Sequence, residues 1–292
     1  MNVVKNEKIK EIIQSTKLFE KAYNISFAPF VSAEDGSEYD VWRVSSDEKT
    51  YVLKKAKESE LSVYISYLKN APGVPRIIES VDFEDENYFI MEYVQGEPAL
   101  RFDRLSITKA LDALIAIQKA FWQTSEIEGA GVSFDESLAH RISRGKYLND
   151  HDLEEAYDEF IDAYKALPRT LCHDDLLPFN IMLSEDSATV IDWEVAGILP
   201  YPVPLARLLA HAEESEDAFF YIKNEDKEFA ARYYYDNLLK EKGIAEYDFY
   251  YSLALFVFYE YCEWIMLGNK YPDADMERYD KYLKKAKELL KR

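Results

Sequence analysis

The first third of the chain alternates apolar and polar positions with the two-residue period of β-strands. Polar turns at residues 45–48 and 84–87 separate two pairs of these segments, and an amphipathic helix is predicted at 59–68 from its 3.6-residue spacing. The five predicted strands cover residues 25–31, 39–44, 51–54, 77–83 and 88–93. This region therefore predicts a small sheet with one helix inserted between its third and fourth strands.

Beyond a turn at residues 95–98, the apolar residues follow helical spacing instead. A strand-like exception lies within residues 171–190. The predicted helices cover residues 108–123, 153–167, 225–242, 247–267 and 276–290. The pattern predicts an α+β fold of two lobes, with a small β-rich lobe at residues 1–94 and a larger, mostly helical lobe at residues 95–292. A cleft is expected between them.

Composition agrees with a folded globular protein, since the 292 residues are 48% hydrophobic and 31% charged. Cys172 and Cys262 form no disulfide framework, which favours a reducing, cytoplasmic compartment. The most apolar run, residues 250–259, is too short to span a bilayer and predicts a buried helix. The first residues lack the apolar core of a signal peptide. We expect a cytoplasmic monomer or weak dimer.

The formal net charge is −20, which argues against nucleic acid or an anionic membrane as a partner. More of this negative charge falls in the larger, helical part of the chain. An acidic lobe could attract a cationic substrate, and it could equally serve solubility. The charge alone does not choose between these interpretations.

The most informative segment is residues 171–194, LCHDDLLPFNIMLSEDSATVIDWE. It places Asp175, Asn180 and Asp192 between short apolar runs. Phosphoryl transfer from a nucleotide requires a carboxylate that takes the proton of the acceptor hydroxyl, and oxygen ligands for the metal on the phosphates. These three residues supply both. His173 is expected to hold the shape of the loop rather than act as an acid or base.

The predicted sheet contributes two further pieces. Lys54 ends a strand, where it could pair with nucleotide phosphates, and it needs an acidic partner; Glu60 is favoured, with Glu58 as the alternative. Backbone groups of the segment before the turn could read an adenine edge. That segment consists of Met91, Glu92, Tyr93 and Val94. Each piece is weak alone, but their order along the chain is that of a kinase.

The motif HDDLLPFNIML followed by VIDWE resembles the catalytic and metal-binding segments of the aminoglycoside phosphotransferase and choline kinase superfamily. YVLKK, VPRIIES and MEYVQGEP are also similar to family segments, and the resemblance covers about residues 25–210. It implies a protein-kinase-like fold, with ATP and Mg²⁺ as cofactors and GTP as the alternative nucleotide. It makes Asp175 the catalytic residue, Asn180 and Asp192 metal ligands, and Lys54 the phosphate ligand. Met182 and Ile191 would line the nucleotide site.

The chain departs from the family pattern at four places. Asp174 replaces the usual Gly and is expected to face solvent, while Leu177 stands where a second His is common. The family commonly has an Asp at the position of Pro204, and that Asp holds the catalytic loop in place. Whether another residue holds the loop in this chain is left open. In the loop expected to cover the phosphates, residues 32–39, there is one Gly among three acids, although backbone amides around Gly36 and Ser37 could still donate to phosphate.

Acidic and aromatic side chains of the helical part are candidates for binding the acceptor. Carboxylates near aromatic faces hold ammonium groups. The candidates are Glu213, Glu214, Glu216 and Asp217 in one cluster, and Glu260, Glu263, Tyr259, Tyr261 and Trp264 on one predicted helix. The alternative interpretation is a solvated charged face and an aromatic core stripe.

These features predict an ATP- and Mg²⁺-dependent kinase that phosphorylates a hydroxyl of a small, cationic, aminoglycoside-like molecule. Two alternatives remain open. One is a metabolite kinase for choline, homoserine or a sugar-like alcohol. The other is a catalytically idle nucleotide-binding module with a regulatory role.

Overall fold

The structure, a computed structural model, describes residues 2–31, 36–46, 49–69, 71–215, 217–271 and 273–291. Its N-terminal part is an antiparallel five-stranded sheet in the order β1-β2-β3-β5-β4. The strands are β1 (Ser26–Val31), β2 (Glu38–Ser46), β3 (Lys49–Lys55), β4 (Ile77–Phe83) and β5 (Glu86–Glu92). The predicted sheet is thus confirmed. Asp47 and Glu48, in the turn between β2 and β3, lie outside the described residues.

Each face of this sheet is buried against a different neighbour. An N-terminal helix, α1 (Asn2–Ser15), packs Ile9, Ile12 and Ile13 against one face, which contains Leu53 and Ile90. Residues on the opposite face, among them Val52, Phe89 and Met91, join the core of the helical part. Because side chains alternate along a strand, Lys54 shares the face of Val52 and points toward the helical part.

Between β3 and β4 lies helix α2 (Glu58–Val63), which continues as a π-helical turn, Tyr64–Leu68. The C-terminal part is mostly helical, as predicted. Its helices are α3 (Arg104–Ala120), α4 (Phe134–Gly145), α5 (His151–Ala166), α6 (Val203–His211), α7 (Asn224–Tyr234, continued by a π-helical turn, Tyr235–Leu239), α8 (Glu246–Lys270) and α9 (Met276–Leu289).

Two small antiparallel sheets interrupt these helices and carry the segment that the sequence singled out. One sheet has the order β6-β8-β9 and the other pairs β10 with β7. The strands are β6 (Glu97–Pro98), β7 (Arg169–Cys172), β8 (Ile181–Leu183), β9 (Ala188–Val190) and β10 (Gly197–Pro200). Residues 97 and 98, predicted as part of a turn, pair instead with β8, which fixes the segment that follows β5 to the C-terminal part.

The predicted helices did not include α1, α4 or α6. Helix α4 begins at an N-cap, Ser133, whose side chain forms a capping box with Glu136. Its two buried residues, Ser137 and Arg141, are polar, whereas the apolar Phe134 and Leu138 are only partly buried against the core.

No helix in the described part of the chain is long and apolar enough to cross a lipid bilayer.

Candidate active site

Lys54 forms the centre of an ion-pair triad between the sheet and the catalytic segment. Its Nζ donates to Glu60 Oε1 of α2 at 2.8 Å and to Asp192 Oδ1 at 2.6 Å. The predicted partner Glu60 is therefore in contact with Lys54. Asp192 has a left-handed backbone, with φ of 65°. Asp tolerates this conformation better than most residues, and it directs the carboxylate at Lys54.

Glu60 is completely buried, and its second carboxylate oxygen accepts no hydrogen bond from the described residues. Burial raises the pKa of Glu60 from 4.5 to about 7, although Lys54 opposes this shift. The carboxyl group is consequently poised to change its charge near neutral pH.

This titration predicts a pH-dependent stability. Between pH 4.5 and 7 the folded protein keeps a proton that the unfolded chain releases, so stability should fall as pH rises through this window, by a total on the order of 3 kcal/mol. Glu60→Gln should remove this part of the slope. Urea denaturation of both proteins at several pH values measures it, and parallel pH profiles would contradict the assignment.

The catalytic segment begins where β7 ends, and His173 fixes its shape. The imidazole is buried beside Trp193, and its Nδ1 accepts from the backbone N–H of Asp175 at 3.3 Å. Nε2 then carries the proton and donates to the Ile191 carbonyl at 2.9 Å. Burial lowers the pKa of His173, which keeps the ring neutral. These contacts suit the architectural role expected for it.

Asn180 links the catalytic segment to the strand that leads to Asp192. Its Nδ2 donates to the backbone carbonyl of Asp175 at 2.8 Å, and its backbone carbonyl accepts from the backbone N–H of Ile191 at 2.9 Å. The first of these hydrogen bonds orients the side-chain amide, whose oxygen could bind a metal. Carboxylate oxygens of Glu60, Asp192 and Glu194 lie within 4.8 Å of one another. An all-oxygen donor set of this kind fits Mg²⁺.

Asp175 lies beside Arg207 of α6. Its Oδ1 accepts from Arg207 Nε at 3.1 Å and from Nη2 at 2.9 Å. The side chain of Asp175 is about one-third exposed, at 35%, so a substrate could reach it. The sequence did not predict this arginine, although a single cation within VPLARLLAH, an otherwise apolar helix, was a usable signal.

Asp174 does not face solvent, as was expected of it. Its carboxylate accepts from Arg141 Nη2 of α4 at 2.6 Å. Arg141 is buried, and its guanidinium lies 4.7 Å from the ring centroid of Tyr164 and 5.0 Å from that of Tyr259. A buried guanidinium requires a counter-charge, and Asp174 supplies it.

The predicted adenine-reading segment spans the end of β5 and the following loop. Met91 is buried, Glu92 binds Arg76, and Tyr93 and Val94 are partly exposed. Gly96 follows with φ of 151°, and a Cβ there would lie 2.3 Å from the Leu183 carbonyl oxygen. Glycine at this position lets the connection approach β8, and Met182 of β8 pairs with Pro98.

Part of the predicted phosphate-covering loop can also be placed. Gly36 has φ of 73°, with open space where a side chain would be, and Ser37 follows it before β2. Residues 32–35, including the acids Glu34 and Asp35, lie outside the described residues.

The acceptor candidates on α8 are already engaged by other side chains. Glu260 Oε2 accepts from Arg207 Nη1 at 2.7 Å, and Glu263 Oε2 accepts from the same nitrogen at 2.6 Å. Glu263 also binds Arg144. Burial raises the pKa of Glu260, but Arg207 and His211 lower it by more, to about 2. This carboxylate is therefore ionised.

The remaining candidates lie beyond His211. Glu213 pairs with Lys281, Glu214 pairs with Asn224, and Asp217 lines an open cavity of about 720 Å³ with Arg101 and Tyr221. Glu216 lies outside the described residues. The rings of Tyr261 and Trp264 pack on Tyr282, and cationic side chains of α9 lie over them.

Comparison with protein families decides the class of this chain. The model of the phosphotransferase enzyme family, APH, matches residues 30–239. The chain belongs to this family. It is therefore a small-molecule phosphotransferase with a protein-kinase-like fold, as the resemblance implied. A search of curated proteins gave no match.

Several solved structures share this fold at low sequence identity. A choline kinase from Cryptosporidium parvum Iowa II is 16% identical, with a TM-score of 0.65 over 98% of this chain and 96% of its own. An aminoglycoside phosphotransferase from Alicyclobacillus acidocaldarius is 12% identical, with a TM-score of 0.62 over 96% and 93%. The amicoumacin kinase hAmiN, in complex with AMP-PNP, Ca²⁺ and Ami, is 12% identical, with a TM-score of 0.65 over 98% and 96%.

Proposed function

We propose that this phosphotransferase uses ATP and Mg²⁺ to phosphorylate a hydroxyl group of a small molecule. The observation that carries the proposal is the convergence of Lys54 and Asp192 within 2.6 Å, with Asn180 and Asp175 on the adjoining segment. These groups come from distant parts of the sequence, and each has a place in phosphoryl transfer. The hAmiN complex with a nucleotide analogue and a divalent cation supports the choice of cofactors.

The roles follow from charge and position. Lys54 would neutralise the nucleotide phosphates, and the oxygens of Asn180 and Asp192 would hold Mg²⁺. The metal would supply charge neutralisation for the transferred group. Asp175, on the exposed side of the loop, would accept the proton of the attacking hydroxyl. Glu60 would keep Lys54 in place through their ion pair.

We propose that the acceptor is a cationic alcohol. Solved structures with this fold include proteins called aminoglycoside phosphotransferase, choline kinase and amicoumacin kinase, which supports an amine-bearing acceptor. The carboxylates of Glu260 and Glu263 stand near Asp175 through Arg207. Because these acids already bind arginines, an ammonium group must compete for them. Measuring whether the enzyme prefers cationic or neutral acceptors therefore tests this hypothesis.

An acceptor screen tests the proposal. ADP release should require Mg²⁺ and rise when the correct alcohol is added, and EDTA should reduce it to background because the phosphates then lack their counter-ion. The panel should contain aminoglycosides, choline, homoserine and neutral sugars. A preference for neutral acceptors would contradict the cationic hypothesis. Absence of both MgATP binding and ADP release would contradict the kinase itself.

A further inference from the structure

The two oxygens of the Asp175 carboxylate have different environments. Oδ1 accepts two hydrogen bonds from Arg207, from Nε and from Nη2. Within the described part of the chain, Oδ2 accepts none. The guanidinium thus holds one oxygen and leaves the other for an incoming hydroxyl. Because both donors converge on Oδ1, they hold the position of that oxygen.

The far end of Arg207 is anchored to α8. Its Nη1 lies 2.7 Å from Glu260 Oε2, 2.6 Å from Glu263 Oε2 and 3.1 Å from His211 Nε2. Glu260, Glu263 and His211 form a group of the kind that can bind a metal ion. Here the cation among them is the guanidinium. Glu260 and His211 are nearly inaccessible, with side-chain exposures of 5% and 8%, which makes the anchor rigid.

The contacts of Arg207 are relevant to Pro204, which stands where the family commonly has an Asp. Residue 204 is a buried proline in the first turn of α6 and cannot tie the catalytic loop through a carboxylate. Arg207, one turn later on the same helix, contacts the loop directly at Asp175. The same helix thus still reaches the loop, but through a cation that binds the catalytic carboxylate.

We propose that Arg207 is the positioning residue for Asp175, with Glu260 and Glu263 as its anchor. This inference rests on the proposed kinase function, in which Asp175 receives the proton of the acceptor hydroxyl. Arg207 orients the carboxylate so that Oδ2 faces that hydroxyl, and it transfers no proton. A guanidinium suits this task because its Nε and Nη2 can both donate to Asp175 Oδ1 while its Nη1 stays bound to the carboxylates of α8.

The first test is turnover of MgATP, measured as ADP release with and without the acceptor identified by screening. Arg207→Gln should lower kcat about 100-fold, the scale expected when a reacting group is misplaced by roughly 1 Å, while the KM for ATP changes little. Arg207→Lys should recover only part of this loss, because one ammonium group cannot grip Asp175 and α8 together. Unchanged kcat in folded Arg207→Gln would overturn the proposal.

Arg144→Gln is the matched control. It removes a guanidinium from the same carboxylate, Glu263, but from a side chain that forms no contact with Asp175. Its kcat should fall much less than that of Arg207→Gln, because Arg144 contacts the anchor carboxylate Glu263 and not Asp175 itself. An equal loss in both variants would mean that general disruption of the charged cluster, rather than positioning of Asp175, determines the rate.

Hydrogen exchange separates this inference from the kinase proposal. In the whole protein, backbone amides of residues 173–180 should exchange faster in Arg207→Gln than in Arg144→Gln or the wild type. If the wild type neither binds nor turns over MgATP, the kinase proposal fails, yet exchange still reports whether Arg207 holds the loop. Equal protection in all three proteins would overturn the positioning role.

Discussion

Replacing Asp175 by Asn should lower kcat by about 10³-fold or more, because the amide cannot accept the proton of the attacking hydroxyl. Asn keeps an oxygen that can accept from Arg207, so the loop should retain its shape. MgATP affinity should change little, since Lys54 and Asp192 are untouched and neither contacts the Asp175 side chain among the described residues. Calorimetric titration with MgATP and the coupled ADP assay measure the two quantities separately.

Asp158→Asn provides the control for this change. Asp158 is exposed on α5, and the same loss of one carboxylate there should leave both constants unaltered. An Asp175→Asn protein with more than about a tenth of wild-type kcat would exclude Asp175 as the general base. A parallel loss of MgATP affinity would instead indicate that Asp175 supports the nucleotide site.

The proposed reactive set could be assembled from the sequence because local motifs carry it. Asp175 and Asn180 are five residues apart in one loop, and Asp192 follows a three-residue strand. Lys54 was identifiable from its strand and from the order of segments. In each case, a short pattern determined both the residue type and the element that holds it.

The ion pairs of Arg141 and Arg207 could not be predicted in the same way. Arg141 meets Asp174 across 33 positions of sequence, and Arg207 meets Glu260 across 53. Which cation meets which carboxylate depends on how α4, α6 and α8 pack, and no local period encodes that. A charged residue in a helix is ordinarily assigned to solvent. Arg141 is an exception, because two aromatic rings and one carboxylate surround its guanidinium.

The partners of the candidate acceptor-binding residues could not be predicted for the same reason. The acids at 260 and 263 were chosen for their proximity to aromatic positions on one helix, and the structure places them near the catalytic loop as well. What the sequence did not indicate is that arginines already neutralise them. Charge counts along a chain give the number of acids in a region, whereas their availability to a ligand depends on partners from other elements.

The Asp174–Arg141 pair should control the stability of the protein more strongly than any other single contact of the catalytic loop. Asp174→Ala leaves a buried guanidinium without its counter-charge, which costs about 3–5 kcal/mol for well-buried pairs. Asp174 retains 19% side-chain exposure, so we expect a loss of about 3 kcal/mol in the free energy of unfolding. Chemical denaturation of the purified protein measures this loss.

A double-mutant cycle with Arg141→Met isolates the pair. Methionine keeps an apolar stem between Tyr164 and Tyr259 and removes the charge that Asp174 must balance. Asp174→Ala should then cost much less in the Arg141→Met background than in the wild type, with a coupling energy of about 2 kcal/mol. Asp162→Ala, which breaks the exposed pair with Lys165, should leave stability almost unchanged. Additive losses for Asp174→Ala and Arg141→Met would show that the two residues act independently and that Asp174 has another role in the loop.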